Sequence, residues 1–246
     1  HQRGYHPDPY FGGIYDAFRQ PKYAYEMFRS QSPAHLNHPT AESGPMVYIA
    51  HEMSPFSDTD VVVFSNCDSV RLSVYDGTKS WVLPVVHAKG HMPNAPLVFK
   101  NVWDFWEARE LSYKQKNWQK VNMVAEGIIG GKVVCTTKRM PSRRSTKLRL
   151  KLDTEGKQLV ADGSDFIVVV AEVTDDSGNV RRLAKENIVF SIEGEGEIIG
   201  DASIHANPRP VEFGTAPLLV RSTCKAGKVK VTARVQFEGT HAPASS

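Results

Sequence analysis

The segment 103–109 (WDFWEAR) is the place in this sequence where residue types and spacing most suggest chemistry. Trp103 and Trp106 lie three residues apart, beside Asp104 and Glu107. A planar aromatic platform of this kind can stack on a sugar ring, and the neighbouring acids can bond its hydroxyl groups. Buried tryptophan also fills the cores of small β-sandwiches. The pattern favours packing, and sugar binding at Trp103 and Trp106 stays open as the alternative.

Signatures of catalysis and of metal binding are missing from the sequence. The nucleophile-elbow, dinucleotide-binding and phosphate-loop motifs are absent, and no Ser-His-Asp arrangement can be assembled. His87 and His91 have the i, i+4 spacing of a helical metal pair, but Pro84, Gly90 and Pro93 disfavour a helix there. We therefore expect no catalytic residue, no metal site and no cofactor.

Three cysteines, Cys67, Cys135 and Cys224, are widely separated and form no Cys-x-x-Cys pair. A zinc site is therefore not expected. Each cysteine lies in or at the end of an apolar alternating run, which favours a small buried side chain. A disulfide stays open as the alternative.

Composition indicates an ordinary globular protein of roughly two domains. The chain has 246 residues, 41% hydrophobic and 23% charged, with a net charge of +3. Its densest basic stretch, within 138–149, lacks interleaved aromatic residues, so nucleic acid is not expected as a partner. No run approaches the roughly 20 apolar residues of a membrane span.

A single amphipathic helix is predicted over 21–31 (PKYAYEMFRSQ). Pro21 suits the first helical turn, and Tyr23, Met27 and Phe28 share one face. One helix cannot bury its own apolar face. It must therefore pack on the next domain or on a neighbour outside this chain.

From residue 44 onward the apolar period changes from that of a helix to the period of two that is typical of strands. Short β-branched runs occur at 46–53, 60–67, 69–77 and 97–102, and two more flank Gly130-Gly131, which predicts a hairpin. The polar stretch 105–120 between them is expected to be a long loop or an irregular edge segment. We assign 44–143 to one β-sandwich domain.

A second series of alternating runs begins near residue 144, after the turn-rich stretch MPSRRST. About seven strands in about 95 residues are typical of an immunoglobulin-like sandwich. We assign 144–240 to that domain and expect the small, polar tail 241–246 to be disordered. The predicted fold class is mainly β, with two immunoglobulin-like β-sandwich domains preceded by a short helical segment.

The segment 12–31 (GGIYDAFRQPKYAYEMFRSQ) resembles the last loop and last helix of the (β/α)8 catalytic barrel in glycoside hydrolase family 2. That family includes the β-galactosidases and β-glucuronidases. Its pattern D-x-x-x-Q-P-K-x-x-Y is matched by five residues, namely Asp16, Gln20, Pro21, Lys22 and Tyr25. The resemblance implies that 1–43 is the tail of a barrel.

Segments 152–179 and 190–200 resemble the immunoglobulin-like modules that end many bacterial members of the same family. The resemblance implies a non-catalytic accessory region of a retaining, β-galactosidase-like enzyme, with the barrel of the same polypeptide as its partner. In that family two barrel glutamates cleave the sugar bond, and no glutamate here matches either motif. The chain alone is therefore expected to be inactive.

The same resemblance implies what the opening loop does and where the enzyme acts. Tyr5, His6, Asp8 and Tyr10 belong to what remains of the barrel's eighth loop, where they would contact substrate; in the isolated chain the loop is expected to lack a defined geometry. The family's members in polysaccharide-degrading bacteria are commonly periplasmic or secreted, which is the expected location. A carbohydrate-binding pair or an adhesin built from such modules, without enzyme activity, remains the alternative.

Overall fold

Alternating apolar residues form strands along most of the chain, as the mainly β prediction requires. The structure is a computed structural model that describes residues 13–15, 20–39, 41–87, 92–153, 158–237 and 242–246. It divides into two compact units, His1–Pro141 (unit 1) and Ser142–Ser246 (unit 2).

Unit 1 contains a three-stranded sheet in the order β1-β2-β5 and a four-stranded sheet in the order β4-β3-β6-β7. All neighbouring strands are antiparallel. Apolar side chains of both sheets share one core, so the two sheets form a β-sandwich. The strands are β1 Val47–Ala50, β2 Val61–Ser65, β3 Ser69–Val74, β4 Lys79–Pro84, β5 Leu97–Phe99, β6 Met123–Ile129 and β7 Lys132–Arg139.

Period-two patterning decides which side chains of unit 1 are buried. In β3, Val70, Leu72 and Val74 point into the core while the residues between them are partly exposed. The predicted hairpin is confirmed, because Gly130 and Gly131 connect β6 to β7 with φ of 56° and 76°. Positive φ at both central residues is what a two-residue hairpin turn requires.

Residues 105–120 are helical, so the prediction of a loop or edge segment is wrong. Helix α2 spans Phe105–Arg109, and a π-helical turn, Glu110–Lys114, and a 3-10 turn, Trp118–Lys120, follow it. Asp104 caps α2, since its carboxylate accepts from the backbone N–H of Trp106 and Glu107 at 2.7 and 3.2 Å. The aspartate and the glutamate three residues later resemble a capping box, a start signal that the density of charges obscured.

The predicted first helix is present but shorter than 21–31. Helix α1 spans Tyr23–Arg29, with Lys22 as its N-cap residue. Pro21 therefore lies before the helix rather than in its first turn. It forms an isolated antiparallel β-bridge with Tyr15. The sandwich of unit 1 forms hydrogen bonds with α1 and the residue after it, but no residue of α1 is buried.

Unit 2 contains one sheet in the order β11-β13-β9-β8 and another in the order β12-β10-β14. Leu148, Val169, Ile188, Leu218 and Val235 lie in one core that both sheets share, which makes unit 2 a second β-sandwich. A 3-10 turn, Ala202–Ile204, lies outside the ladders. The strands are β8 Lys147–Asp153, β9 Phe166–Thr174, β10 Asn187–Gly194, β11 Gly196–Ile198, β12 Arg209–Pro210, β13 Thr215–Ser222 and β14 Val229–Val235.

The C-terminal residues 242–246 are ordered along unit 2, so the expectation of a disordered tail does not hold for them. Ala244 accepts from the backbone N–H of Leu148 at 3.0 Å and donates to Thr146 at 2.8 Å. Ser246 exchanges backbone hydrogen bonds of 2.8 and 3.0 Å with Ala233. Backbone pairing, which a small polar composition does not reveal, holds this segment in place.

Candidate functional site

A groove of about 620 Å³ runs along α2 and the turns that follow it. Its walls combine one exposed tryptophan with a tyrosine, carboxylates, amides and a lysine. The lining residues are Tyr75, Thr78, Asp104, Trp106, Glu107, Glu110, Leu111, Gln115, Asn117 and Lys120.

Trp106 is the aromatic side chain that the groove presents to solvent, with 68% of its surface exposed. Its position is fixed from below, because the Asp104 cap holds the first turn of α2 and Phe105 packs against the core. The Phe105 and Trp106 rings meet edge to face at 5.5 Å. The guanidinium of Arg109 lies 5.5 Å from the centre of the Trp106 ring. The indole is therefore exposed but held in one direction.

An ion pair and a neutral phenol lie beside this tryptophan. Lys79 of β4 donates to both carboxylate oxygens of Glu107 at 2.7 Å, and its ammonium lies 5.6 Å above the Tyr75 ring. Burial, helped by the charges of Glu107 and Asp104, raises the pKa of Tyr75. Its phenol thus stays protonated, donating to the Asp104 carbonyl at 3.4 Å. Fixed charges of both signs flank an aromatic surface.

Asn122 supports the far wall of the groove from beneath. Its side chain is 1% exposed and donates to Asp76 at 2.6 Å and to the carbonyl of Gln119 at 3.1 Å. The backbone carbonyl of Asn122 accepts from the backbone N–H of Tyr75 at 3.0 Å. One buried amide therefore joins the turn after β3 to the 3-10 turn that carries Lys120.

The two predicted platform residues are not on one surface. Trp103 is 3% exposed and lies in the core of unit 1, with its ring 5.7 Å from that of His51. Its indole Nε1 is buried and has no acceptor among the described residues. Trp103 therefore packs in the core, as the favoured interpretation of this segment expects, and offers no face to a ligand. Only Trp106 remains a candidate.

Sequence reasoning missed the groove's other half. Tyr75 was assigned only to a strand end, although it begins a Y-D-G turn in which Tyr75 and Asp76 have φ of 53° and 55°. Gln115 and Asn117 gave no signal, since they belong to the stretch expected to be a loop. The predicted residues Tyr5, His6, Asp8 and Tyr10 lie outside the described residues.

This arrangement can bind polar rings, and two of its carboxylates lie near lysines. An exposed indole provides an apolar face, and Gln115, Asn117 and Lys120 provide donors and acceptors around it. Glu107 is held by Lys79, and Glu110 lies 3.9 Å from the ammonium of Lys114.

Neither a metal centre nor a membrane segment emerges from the part of the chain that the structure describes. No group of three or more histidine, cysteine, aspartate or glutamate side chains is placed to hold a metal ion there. Among the same residues, no helix is both long and apolar enough to span a membrane.

A second surface of interest is the one that carries α1, where a polar cluster fastens the start of the helix to the sandwich. Tyr23 donates to Glu52 through its phenol, and Glu52 lies 3.4 Å from Arg139 of β7. Arg139 also donates to the phenol of Tyr48 in β1 at 3.1 Å. Burial and then the Glu52 carboxylate raise the pKa of Tyr23, so the donor is not lost near neutral pH.

Hydrogen bonds of amide side chains hold the C-terminal end of α1 against the sandwich. Asn94 donates through its side chain to the carbonyl of Ser30 at 2.6 Å, and its backbone exchanges two 2.9 Å hydrogen bonds with the Gln31 side chain. Asn66 donates to the carbonyl of Ser32 at 3.0 Å. These bonds leave Phe28 on the other side of the helix, 57% exposed.

The family comparison matches unit 2. Residues 150–239 match the model described as glycoside hydrolase family 2 C-terminal domain 5. Among curated proteins, a β-galactosidase of Thermoanaerobacter pseudethanolicus is 30% identical over 231 residues, covering 92% of this chain and 29% of the relative. A β-glucuronidase of Formosa agariphila is 27% identical over 237 residues, covering 90% of this chain and 20% of the relative. The chain thus spans less than a third of the length of either protein.

Solved structures share the fold over most of the chain. A β-glucuronidase from glycoside hydrolase family 2 aligns with a TM-score of 0.66 and 23% identity, covering 95% of this chain and 22% of that one. A β-glycosidase from Bacteroides vulgatus aligns with a TM-score of 0.64 and 20% identity, covering 91% and 26%. At these identities the likeness concerns the fold alone.

Proposed function

We propose, on the premise that this chain is a C-terminal region of a family 2 glycoside hydrolase, that it is a non-catalytic accessory region supporting a catalytic barrel in the same polypeptide. The fastening of α1 is the observation that carries the proposal. A seven-residue helix is too short to be stable alone. Here unit 1 holds it at both ends through its polar groups and leaves its Phe28 side uncovered.

Exposed apolar side chains around α1 support a docking role for this surface. Tyr15, Phe28 and Leu36 are 40%, 57% and 43% exposed. Because about half of each side chain is already covered, burying the rest contributes roughly 1 kcal/mol per residue, and three of them together stabilise a domain contact. The occupant we propose is the barrel, because the curated relatives are several times longer and the sequence of α1 resembles a barrel's last helix.

The carboxylates of the two sandwiches support a non-catalytic role for the chain itself. A retaining glycosidase needs two carboxyl groups about 5 Å apart that face the same sugar. Glu107, Glu126 and Glu172 are instead paired with Lys79, Arg71 and Arg149 at 2.7, 2.5 and 2.5 Å. We further propose that the whole enzyme acts on a β-galactoside or β-glucuronide in the periplasm or outside the cell, as the names of the relatives and the family resemblance suggest.

The first test is an activity assay on the chain by itself. Nitrophenyl β-galactoside and β-glucuronide should both remain unhydrolysed at high protein concentration. Turnover that disappears when one of the chain's own carboxylates is replaced would overturn the accessory role.

The second test places matched substitutions in the longer enzyme. Phe28→Asp puts a charge on the proposed docking surface, and Val82→Asp puts the same charge on β4, where the replaced side chains are 57% and 58% exposed. We expect Phe28→Asp alone to lower the melting temperature and the activity of the enzyme. The physical reason is that the free energy of docking would weaken by about 2–3 kcal/mol. Equal behaviour of the two variants would contradict docking through α1.

A second candidate function, sugar binding in the α2 groove, is favoured by the exposure of Trp106. A titration of galactan, xylan and glucuronides followed by tryptophan fluorescence tests it. Saturable quenching that is lost in Trp106→Ala and retained in Tyr113→Ala, a control that is 77% exposed and outside the groove lining, would establish binding. A flat titration would leave α2 with a structural role.

A further inference from the structure

Two of the three cysteines face each other in unit 1. The Sγ atoms of Cys67 and Cys135 are 3.7 Å apart, although 68 positions separate them in sequence. Cys67, between β2 and β3, is fully buried, whereas Cys135 in β7 is partly exposed. Cys224 is exposed. The thiols of Cys67 and Cys135 are therefore a pair, and only one of them can be reached from solvent.

Gly127 makes room for this pair. It is the partner of Cys135 across the β6–β7 ladder, next to a register shift. A Cβ atom on Gly127 would lie 2.6 Å from each of the two Sγ atoms. No side chain other than hydrogen fits there without displacing a sulfur, so the absence of a side chain at 127 is what allows the sulfurs to meet.

The contact between the two thiols shifts their pKa values in opposite directions. The hydrogen bond from Cys135 lowers the pKa of Cys67 to about 7, against the effect of burial. The same contact, with burial, raises the pKa of Cys135. Cys67 therefore loses its proton before Cys135 does, and the exposed Cys135 becomes a thiolate when it passes its own proton to Cys67.

We propose that Cys67 and Cys135 are a redox-sensitive pair that a low-molecular-weight disulfide converts into an intramolecular disulfide. The Cys135 thiolate attacks one sulfur of the small disulfide, forming a mixed disulfide and releasing one small thiolate. The Cys67 thiolate then attacks the Cys135 sulfur and releases the second. Two cysteine sulfurs are oxidised and one small disulfide is reduced to two small thiol molecules, which carry away whatever protons the cysteine pair held.

The bond would join the connection between the two sheets to the edge strand β7. Cys67 lies after β2 of the three-stranded sheet and before β3 of the four-stranded sheet. Closing a loop of this length restricts the unfolded chain, which raises the melting temperature of a small domain by roughly 10 °C. The proposal is independent of the accessory function.

The experiment uses the chain with Cys224→Ser, which removes the exposed third thiol. After incubation with oxidised glutathione, thiol titration of the denatured protein should find both remaining thiols lost. Peptide mapping should find one peptide pair joined through Cys67 and Cys135, and reduction should reverse the rise in melting temperature. With Cys67→Ser added, Cys135 should instead keep one glutathione.

Two results would overturn the proposal. One is the persistence of both free thiols under conditions in which Cys224 of the unsubstituted chain is glutathionylated. The other is mixed glutathione disulfides at Cys67 or Cys135 without a cross-link. In a further arm, Gly127→Ala should slow or prevent the cross-link, and an undiminished rate would contradict the geometry argued here.

Discussion

Unit 1 and unit 2 are both β-sandwiches, but helical segments connect strands in unit 1, whereas long strand ladders dominate unit 2. In unit 2, the nine-residue strand β9 pairs along its length with β8 on one side and β13 on the other. In unit 1 the strands are shorter, and buried amides such as Asn66, Asn94 and Asn122 fasten two helical segments to the sheets.

This difference explains why the candidate functional surfaces lie in unit 1 rather than in unit 2. Regular ladders satisfy backbone groups with each other, and in unit 2 the buried polar residues Glu172, Thr174 and Asp175 lie in or directly after strand β9. Irregular segments need such side chains, and in return they can place Trp106 in a groove or leave Phe28 uncovered on α1. The candidate functional surfaces of the described chain accordingly lie in unit 1, while the family model matches unit 2.

The largest expected effect comes from truncating one core at a time. Leu72 and Leu218 are 0% and 2% exposed in the cores of unit 1 and unit 2. Replacing either by alanine should cost about 3 kcal/mol, since a cavity remains. Urea unfolding followed by tryptophan fluorescence should register Leu72→Ala only, because all tryptophans and tyrosines of the chain precede residue 142.

Far-UV circular dichroism provides the control, since it follows both units. It should show one early transition in each variant and one unchanged. If Leu218→Ala also shifts the fluorescence midpoint, the two sandwiches unfold together and the comparison of independent units fails.

Two glycines, one in each unit, distinguish the cost of a steric clash from the cost of a positive φ alone. Gly194 of unit 2 has φ of +93°, and a Cβ there would lie 2.0 Å from the carbonyl oxygen of Lys228. Gly130 of unit 1 has φ of +56°, with open space around it. We expect Gly194→Ala to cost about 3 kcal/mol and Gly130→Ala about 1 kcal/mol, by urea unfolding. Equal costs would show that the close approach in unit 2 relaxes freely.

Acid should destabilise the two units at different pH. His51 is buried in unit 1, where its Nε2 lies 2.8 Å from the carbonyl of Asp58 and its Nδ1 accepts from Met53. Burial lowers its pKa, and protonating Nδ1 would remove that acceptor. A lowered pKa contributes stability that is complete above about 6.5 and is lost as the pH falls further. Tryptophan fluorescence should show this slope, and His51→Gln should remove it.

Unit 2 should hold until the pH falls below about 4. Burial of Asp175 acts to raise its pKa, but the N–H groups of Arg143, Ser177 and Asn179 outweigh it and lower the pKa. This carboxylate's contribution is complete above its unfolded pKa and is lost on the acid side. Circular dichroism should place the loss there, and Asp175→Asn should weaken the dependence. A unit 2 slope already present near pH 6 would contradict the assignment.

Secondary structure is predicted most accurately where apolar residues recur at a regular period or where a short turn motif is present. The run 69–77 predicts strand β3 and Gly130-Gly131 predicts the hairpin, because period two and paired glycines are local signals. The strand Lys79–Pro84 and helix α2 were missed, since few of their residues are buried. Trp103 and Trp106 look alike in sequence, and only the packing of the whole unit decides that one lies in the core and the other in a groove.

The returning C-terminal segment has a consequence for self-association. Strand β8 is the last strand of its sheet, and an uncovered last strand offers free N–H and C=O groups to another copy of the chain. Ala244 occupies such groups at Leu148 and Thr146, and Ser246 does the same at Ala233. The final residues thus act as a guard against edge-to-edge aggregation, and shortening the chain by these few residues would uncover both edges at once.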